Sequence, residues 1–339
     1  MKVFEGPSLR GMNSLGLEAS ADLLIAIETE EDVIDLPRFN PEQDCILGGG
    51  SNIVFATDVP GTVYHNRILG KDIIEHNSEH AVVEVGAGEN WHQLVVWSLD
   101  QGLSGLENLS LIPGQTGAAP IQNIGAYGVE LSSVLHGVTA WDWQQSLWVY
   151  FEPGECALGY RDSLFKAMAA DRYLITSIRL KLNRNFRPRL GYSGLREELS
   201  AMGVENVTAP AVSDAVIRLR RRKLPDPAMT GNAGSFFKNP VVGPGQADTL
   251  KSAHPDLPLW PLGDGRAKLS AAWMIELCGL KGLRLGDAAV SGQHALVLIN
   301  LGSASGKEIV ELAHKVQSTV ADRFGIVLEP EPRLVEFDA

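Results

Sequence analysis

Short apolar runs broken by glycine-rich polar stretches fill the first half of the chain, and an apolar period of 3.6 residues takes over near its end. Residues 45–47, 53–56 and 61–64 read as three strands, with a tight loop, GGGSN, at 48–52 after the first. Residues 82–85 read as another strand. Asn90 is placed to cap a helix on which Trp91, Leu94, Val95 and Leu99 recur at helical spacing until Gly102 ends it. Residues 109–130 lack a clear period and are rich in glycine, proline and amides. A stretch of that length inside a folded domain predicts an ordered, ligand-binding loop. Further strands are predicted at 134–141, 147–151 and 173–182, which makes this part a mixed α/β domain. A helix over 213–223, stopped by Pro225 and Pro227, sets a domain boundary near Pro225. Beyond it the pattern predicts a helix near 270–278 closed by Gly279 and a strand at 295–300. An amphipathic helix follows, with Ile309, Leu312, Ala313, Val316, Val320 and Phe324 on one face, ending at Gly325.

A length of 339 residues exceeds one ordinary core and implies about two or three domains. With 41 acidic against 29 basic residues, net charge -12, the surface is expected to repel nucleic acid and anionic membranes. An anionic substrate then needs a local basic spot. Cys45, Cys156 and Cys278 are far apart and form no CxxC pair, which argues against a disulfide framework or structural zinc and for a reducing compartment. The start, MKVFEGPSLRG, has no apolar signal core, and no run approaches the ~20 apolar residues of a membrane span. A soluble cytoplasmic protein is expected. The eight histidines show no ligand spacing, so no metal site is expected.

The densest chemistry lies in GNAGSFFKNP at 231–240. Ser235 follows a small-residue turn, is walled by Phe236 and Phe237, and is followed by Lys238 and Asn239. A hydroxyl between an apolar wall and glycines suits a proton donor to a reactive intermediate. It does not suit an acyl-transfer nucleophile, because the glycine spacing of a hydrolase elbow is missing. The GGGSN loop offers the amides of Ser51 and Asn52 as a phosphate nest, although by itself a plain tight turn explains it equally well. GAGENW at 86–91 lacks the third glycine of a dinucleotide fingerprint, and GSASGKE at 302–308 fails the glycine spacing of a phosphate loop and has no Ser or Thr after its lysine. Arg218, Arg220, Arg221, Arg222 and Lys223 form one basic run, read as a solvated helix face for all but Lys223, which sits where the helix gives way to KLPDP. Arg161 beside Asp162 is by itself an ordinary ion pair, and Glu329 to Pro332 an ordinary stiff tail. Together these segments put an arginine, a serine and a glutamate beside a phosphate-friendly loop.

LGGGSN at 47–52, IPG at 112–114, PIQNIGAYGVEL at 120–131, GYRDS at 159–163, KLPDP at 223–227, GNAGSFFKNP and LEPE at 328–331 occur together and in order. In this the chain resembles the UDP-N-acetylenolpyruvoylglucosamine reductase (UDP-N-acetylmuramate dehydrogenase) family over nearly its whole length, in the longer-loop type with a lid tyrosine. The resemblance implies a mixed α/β (α+β) vanillyl-alcohol-oxidase-type, or PCMH-type, FAD-binding fold of two subdomains plus a smaller α+β substrate domain. The boundaries would be 1–70, with the tail 328–339 returning near it, then 71–222 and 223–327. It implies FAD as cofactor, NADPH as reductant and UDP-N-acetylglucosamine enolpyruvate as substrate, in peptidoglycan precursor synthesis, with a monomer expected. Gly48, Gly49, Gly50, Ser51, Asn52, Ile112, Pro113, Gly114, Gly117, Ile121, Gln122, Asn123 and Gly125 would bind FAD. Arg161, Ser235 and Glu331 would be catalytic, with Ser235 the proton donor and Arg161 and Glu331 stabilising the enolate. Tyr192, Lys223 and Asn239 would contact substrate, and His294 has no assigned role. Gln115-Thr116-Gly117 departs from the small-then-apolar pattern common in the family. The competing readings are an FAD oxidase or dehydrogenase of a hydroxy acid or sugar on the same fold, and a catalytically silent nucleotide-binding protein.

Overall fold

Two sheets organise the N-terminal half of the computed structural model, which describes residues 1–337. The first sheet runs Lys2–Glu5, Ala21–Ile27, Val59–Asn66, Cys45–Leu47; the outer pair on the Lys2–Glu5 side is antiparallel and the others parallel. The second is antiparallel throughout, in the order Leu147–Phe151, Leu135–Asp142, Tyr173–Asn183, His80–Gly86, Lys71–His76. The helix Trp91–Asp100 lays Trp91, Leu94 and Val95 onto the core formed by Val83, Val85, Ile178 and Leu180. Its start is fixed as expected, with Asn90 Oδ1 accepting the Gln93 amide.

The chain packs as two units. One comprises Met1–Pro7, Ala21–Gly50 and Val59–Arg222; the other comprises Ser8–Ser20, Ser51–Asp58 and everything from Lys223 onward. Residues 1–70 are thus shared between them. The strand Ile53–Phe55 pairs in parallel with Arg333–Val335 inside the second unit.

The second unit is built around the helix Gly306–Phe324, which buries all six residues of the expected apolar face against Leu269, Met274, Ile275, Phe236 and Phe237. GSASGKE, the phosphate-loop lookalike, is the start of this helix: Ser305 and Glu308 close a reciprocal capping box. Gly306 is there for room, since a Cβ would stand 1.7 Å from the Phe55 carbonyl oxygen. The strand expected at 295–300 is shortened to Leu298–Asn300, because Ser291 N–H donates to Val297 O at 2.8 Å and Val297 N–H to His294 O at 3.0 Å, folding the preceding residues into a turn. The helix expected at 213–223 starts earlier, at Ala209; Pro210 is tolerated because the first turn needs no amide from it. Among the described residues no helix is long and apolar enough to cross a membrane, and no group of His, Cys, Asp or Glu is placed to hold a metal ion.

Replacing Gly306 with alanine is expected to lower unfolding stability by about 1–3 kcal/mol, the cost of overpacking against fixed backbone. Urea denaturation checks this, and an unchanged midpoint would contradict the packing described.

Candidate active site

In the second unit Gly234 takes φ 71°, a left-handed turn that a side chain would strain, and its N–H donates to Asn232 Oδ1 at 2.9 Å. The chain then straightens and is held on both sides. Phe236 N–H donates to Leu296 O at 2.6 Å, while Phe236 O accepts from Glu331 N–H at 2.8 Å. Lys238 N–H donates to Glu329 O at 2.9 Å, and Phe237 bridges Pro330. Both phenyl rings are fully buried, 5.2 Å apart and edge to face, which leaves the half-buried Ser235 at the end of a rigid segment. The stretch that alone reads as an exposed tail is therefore a strand-like partner, and it sets Glu331 opposite Phe236, one residue from Ser235.

Asn52 reinforces that pairing: its Nδ2 donates to Glu331 O at 3.1 Å, and its own carbonyl accepts from Arg333 N–H at 3.0 Å. Asn239 is drawn partly into the fold, its Oδ1 accepting the Ala271 amide at 3.0 Å where the helix Ala271–Leu277 begins. His294, which no motif assigns, sits behind the serine segment. Its Nδ1 accepts from Leu296 N–H at 3.2 Å, and Leu296 O is the acceptor for Phe236. Burial holds this imidazole below its ordinary value, opposed by Glu276 and aided by Lys223 and Lys281. Lys223 itself is exposed at the helix end.

In the first unit two glycine turns touch. A Cβ on Gly49 would lie 2.9 Å from Gly114 Cα, and one on Gly48 would lie 3.1 Å from Gln115 Oε1. That Oε1 is buried and has no hydrogen-bond partner. Residues beyond Gly114 are zipped to 86–91: Trp91 N–H donates to Gly114 O at 3.0 Å, Thr116 N–H to Glu89 O at 2.9 Å, Gly117 N–H to Ala87 O at 2.9 Å and Thr116 Oγ1 to Gly86 O at 2.6 Å. Thr116, part of the departure from the family pattern, is thus a buried brace. Ile121 O accepts from Ser163 Oγ at 2.7 Å. Asn123 is buried, with Nδ2 donating to Glu130 Oε2 at 3.1 Å and Gly159 O at 2.9 Å and Oδ1 accepting from Ser132 N–H. Its side chain ties the loop to the turn that carries Arg161. Ile112 and Gln122 are half-buried and Pro113 exposed along the same loop.

Arg161 has φ 55°, strained for a residue with a Cβ, in a turn closed by Gly159 N–H donating to Asp162 O at 2.9 Å. Its NH2 donates to Gly125 O at 2.7 Å, and the guanidinium lies 5.6 Å from the Tyr160 ring centre. Tyr192 packs edge to face on Tyr127, ring centres 4.8 Å apart, and burial pushes the Tyr127 phenol up to about 12. Arg220 belongs to this group. Half-buried, it lies near enough to Tyr127, Tyr192 and Arg161 for their charges to act on it, and burial pulls it below its ordinary value. The basic run is therefore not uniformly a solvated face: the exposed Arg222 pairs with the buried carboxylate of Glu198, while Arg220 turns inward. Spacing could have shown this, since 220 continues the line of buried Val212 and Val216 at helical steps of four.

Comparison with known proteins gives these elements a class. Residues 21–148 match the family described as FAD binding domain, and residues 226–335 match the C-terminal domain of UDP-N-acetylenolpyruvoylglucosamine reductase. The protein is an FAD-binding oxidoreductase of mixed α/β fold. UDP-N-acetylenolpyruvoylglucosamine reductase of Xanthomonas oryzae pv. oryzae (strain KACC10331 / KXO85) is 47% identical over 338 residues, 98% of each chain. The enzyme of that name from Xanthomonas campestris pv. campestris (strain 8004) is 48% identical over 341 residues, 98% of this chain and 96% of its own. The crystal structure of the Thermus caldophilus reductase superposes with a TM-score of 0.67 at 28% identity, covering 99% of this chain and 98% of that one. The chain belongs to the UDP-N-acetylenolpyruvoylglucosamine reductase family.

The residues present fit FAD. A buried acceptor without a donor, Gln115 Oε1, lies beside glycine turns too close for Cβ atoms, and a ligand bearing hydroxyl and ring N–H donors would complete it. Gly49→Ala, which would force the two turns apart, is expected to weaken FAD binding about tenfold or more. Flavin fluorescence titration measures this, and wild-type affinity in the variant would contradict the cradle.

Proposed function

We propose that this chain reduces UDP-N-acetylglucosamine enolpyruvate to UDP-N-acetylmuramate with NADPH as reductant and FAD as bound cofactor, as a cytoplasmic monomer. The observation that carries the residue assignment is the pairing of 236–238 with 329–331, which supports Ser235 and Glu331 as one functional edge. FAD held by the Gly48–Gly50 and Ile112–Gly114 turns would supply the redox chemistry, carrying hydride equivalents from NADPH to the terminal vinyl carbon of the enolpyruvyl ether.

With hydride added there, negative charge develops at the neighbouring carbon and its carboxylate. The Arg161 guanidinium holds the carboxylate through paired N–H donors as that charge grows, and Glu331 in its protonated form would donate a further hydrogen bond. Ser235 Oγ gives its proton to the charged carbon, completing the saturated lactyl ether, and regains a proton from solvent. A neutral serine is a weak acid, but an enolate carbon is a strong enough base when donor and acceptor are held in place. Burial of Phe236 and Phe237 behind Ser235 supports a water-poor side to this step.

Gly48, Gly49, Gly50, Ser51, Asn52, Ile112, Pro113, Gly114, Gly117, Ile121, Gln122, Asn123 and Gly125 are assigned to FAD, mostly through backbone. Asn52 and Asn123 act there as braces, since their side chains bond within the protein. Lys223 and Asn239 are assigned to the substrate diphosphate or the nicotinamide nucleotide, and Tyr192 to a lid over the substrate. Segments 1–70 and 71–222 are assigned to cofactor binding and 223–327 to substrate binding, with the tail from 328 returning to Ile53–Phe55.

Ser235→Ala is expected to leave flavin reduction by NADPH nearly unchanged and to slow flavin reoxidation by substrate by ~10²-fold or more. Stopped-flow absorbance separates the two half-reactions. An equal fall in both would remove Ser235 from the donor role.

A further inference from the structure

Two adjacent residues at the start of the helix Trp91–Asp100 grip the loop that leads into Ile112, Pro113 and Gly114 at three points. Trp91 Nε1–H donates to Leu109 O at 3.0 Å, and Trp91 N–H donates to Gly114 O at 3.0 Å. Between them, Leu111 N–H donates to His92 Nδ1 at 3.1 Å. Leu111 has φ 58°, the left-handed region, which strains a residue with a Cβ and persists only where its surroundings impose it. The first two contacts do not titrate. The third needs a lone pair on Nδ1, which exists only while that nitrogen carries no proton.

We infer that His92 is a positioning residue for the cofactor: its unprotonated Nδ1 holds Leu111 in the left-handed turn from which Ile112, Pro113 and Gly114 start, so FAD affinity falls when His92 takes up a proton. The inference rests on the reading that this loop carries FAD.

The surroundings favour the neutral ring. Burial holds the imidazole below its ordinary value, and Arg221 and Arg220, on the helix Ala209–Lys223, add to this by opposing a further positive charge at His92. The same helix meets the loop directly, with Ser213 Oγ and Ser110 Oγ 2.8 Å apart. A basic helix thus keeps the imidazole in the state that accepts the Leu111 amide. The sign follows: binding is at full strength above the ordinary imidazole value and weakens as pH falls below it.

The test is release of FAD from the full-length holoenzyme on dilution, read as recovered flavin fluorescence, for wild type, His92→Asn, His92→Ala and Gly114→Val. Wild-type Kd is expected to rise as pH falls from about 7.5 to well below the ordinary imidazole value, reaching roughly tenfold, the worth of one hydrogen bond, once His92 is protonated. His92→Asn, whose side-chain oxygen replaces the acceptor without titrating, should match wild type at the upper pH and lose most of the acid dependence. His92→Ala should be roughly tenfold weaker at the upper pH and change little on acidification. Wild-type affinity and wild-type pH dependence in His92→Ala would overturn the inference, as would His92→Asn being as weak as His92→Ala at the upper pH. Gly114→Val locates a failure. If it loses FAD while the His92 variants do not, only the role of His92 falls; if it binds FAD like wild type, the assignment of the loop to FAD falls and this inference with it.

Discussion

The short ladder between Phe236–Lys238 and Glu329–Glu331 is the constraint on which the proposed chemistry depends. Each backbone bond in it is worth only about 0.5–1.5 kcal/mol net, but the phenyl rings beside it are locked into the largest core of the second unit. The ladder thus transmits core rigidity to Ser235 and Glu331, the two proposed functional positions, far apart in sequence. Leu296, His294 and Asn52 extend it on either side, through Leu296 O to Phe236, His294 Nδ1 from Leu296, and Asn52 Nδ2 to the Glu331 carbonyl. A proton donor needs this more than a strong acid would, because fixed geometry has to compensate for the low acidity of a neutral hydroxyl.

Most elements with a strong apolar signal were legible in the chain, although the largely buried strand Ala21–Ile27 was not anticipated. The helix Gly306–Phe324 carries a full stripe and a glycine in the left-handed conformation at its end, and the strand Leu147–Phe151 is a continuous apolar run with turn residues before it. Strands that contribute little to a core were not. Lys2–Glu5 is exposed at every position, and Lys71–His76 is an edge strand exposed at most of them, so neither leaves an alternation to read. Ile53–Phe55 was recognisable as a strand, but its partner, Arg333–Val335, is set by a pairing that no local pattern encodes.

The candidate site divides in the same way. Ser235 is marked by its own neighbours, two aromatics and a glycine turn, while Glu331 reads as tail until its partner strand is known. Arg220 and His92 were hidden for a different reason. A run of arginines looks like one solvated face, yet helical geometry turns Arg220 toward Tyr127 and Tyr192 and leaves Arg222 exposed, paired with the buried Glu198. His92 looks like any polar residue on a half-buried helix, and its importance comes from a single amide across the loop.

The central claim is that Ser235 and Glu331 act as one unit because the ladder holds them together. A double-mutant cycle on substrate-driven flavin reoxidation, with Ser235→Ala, Glu331→Gln and the pair, tests it most directly. The account predicts strong non-additivity, the double variant being little slower than the slower single one. Rate losses that simply multiply would show two independent residues and contradict it.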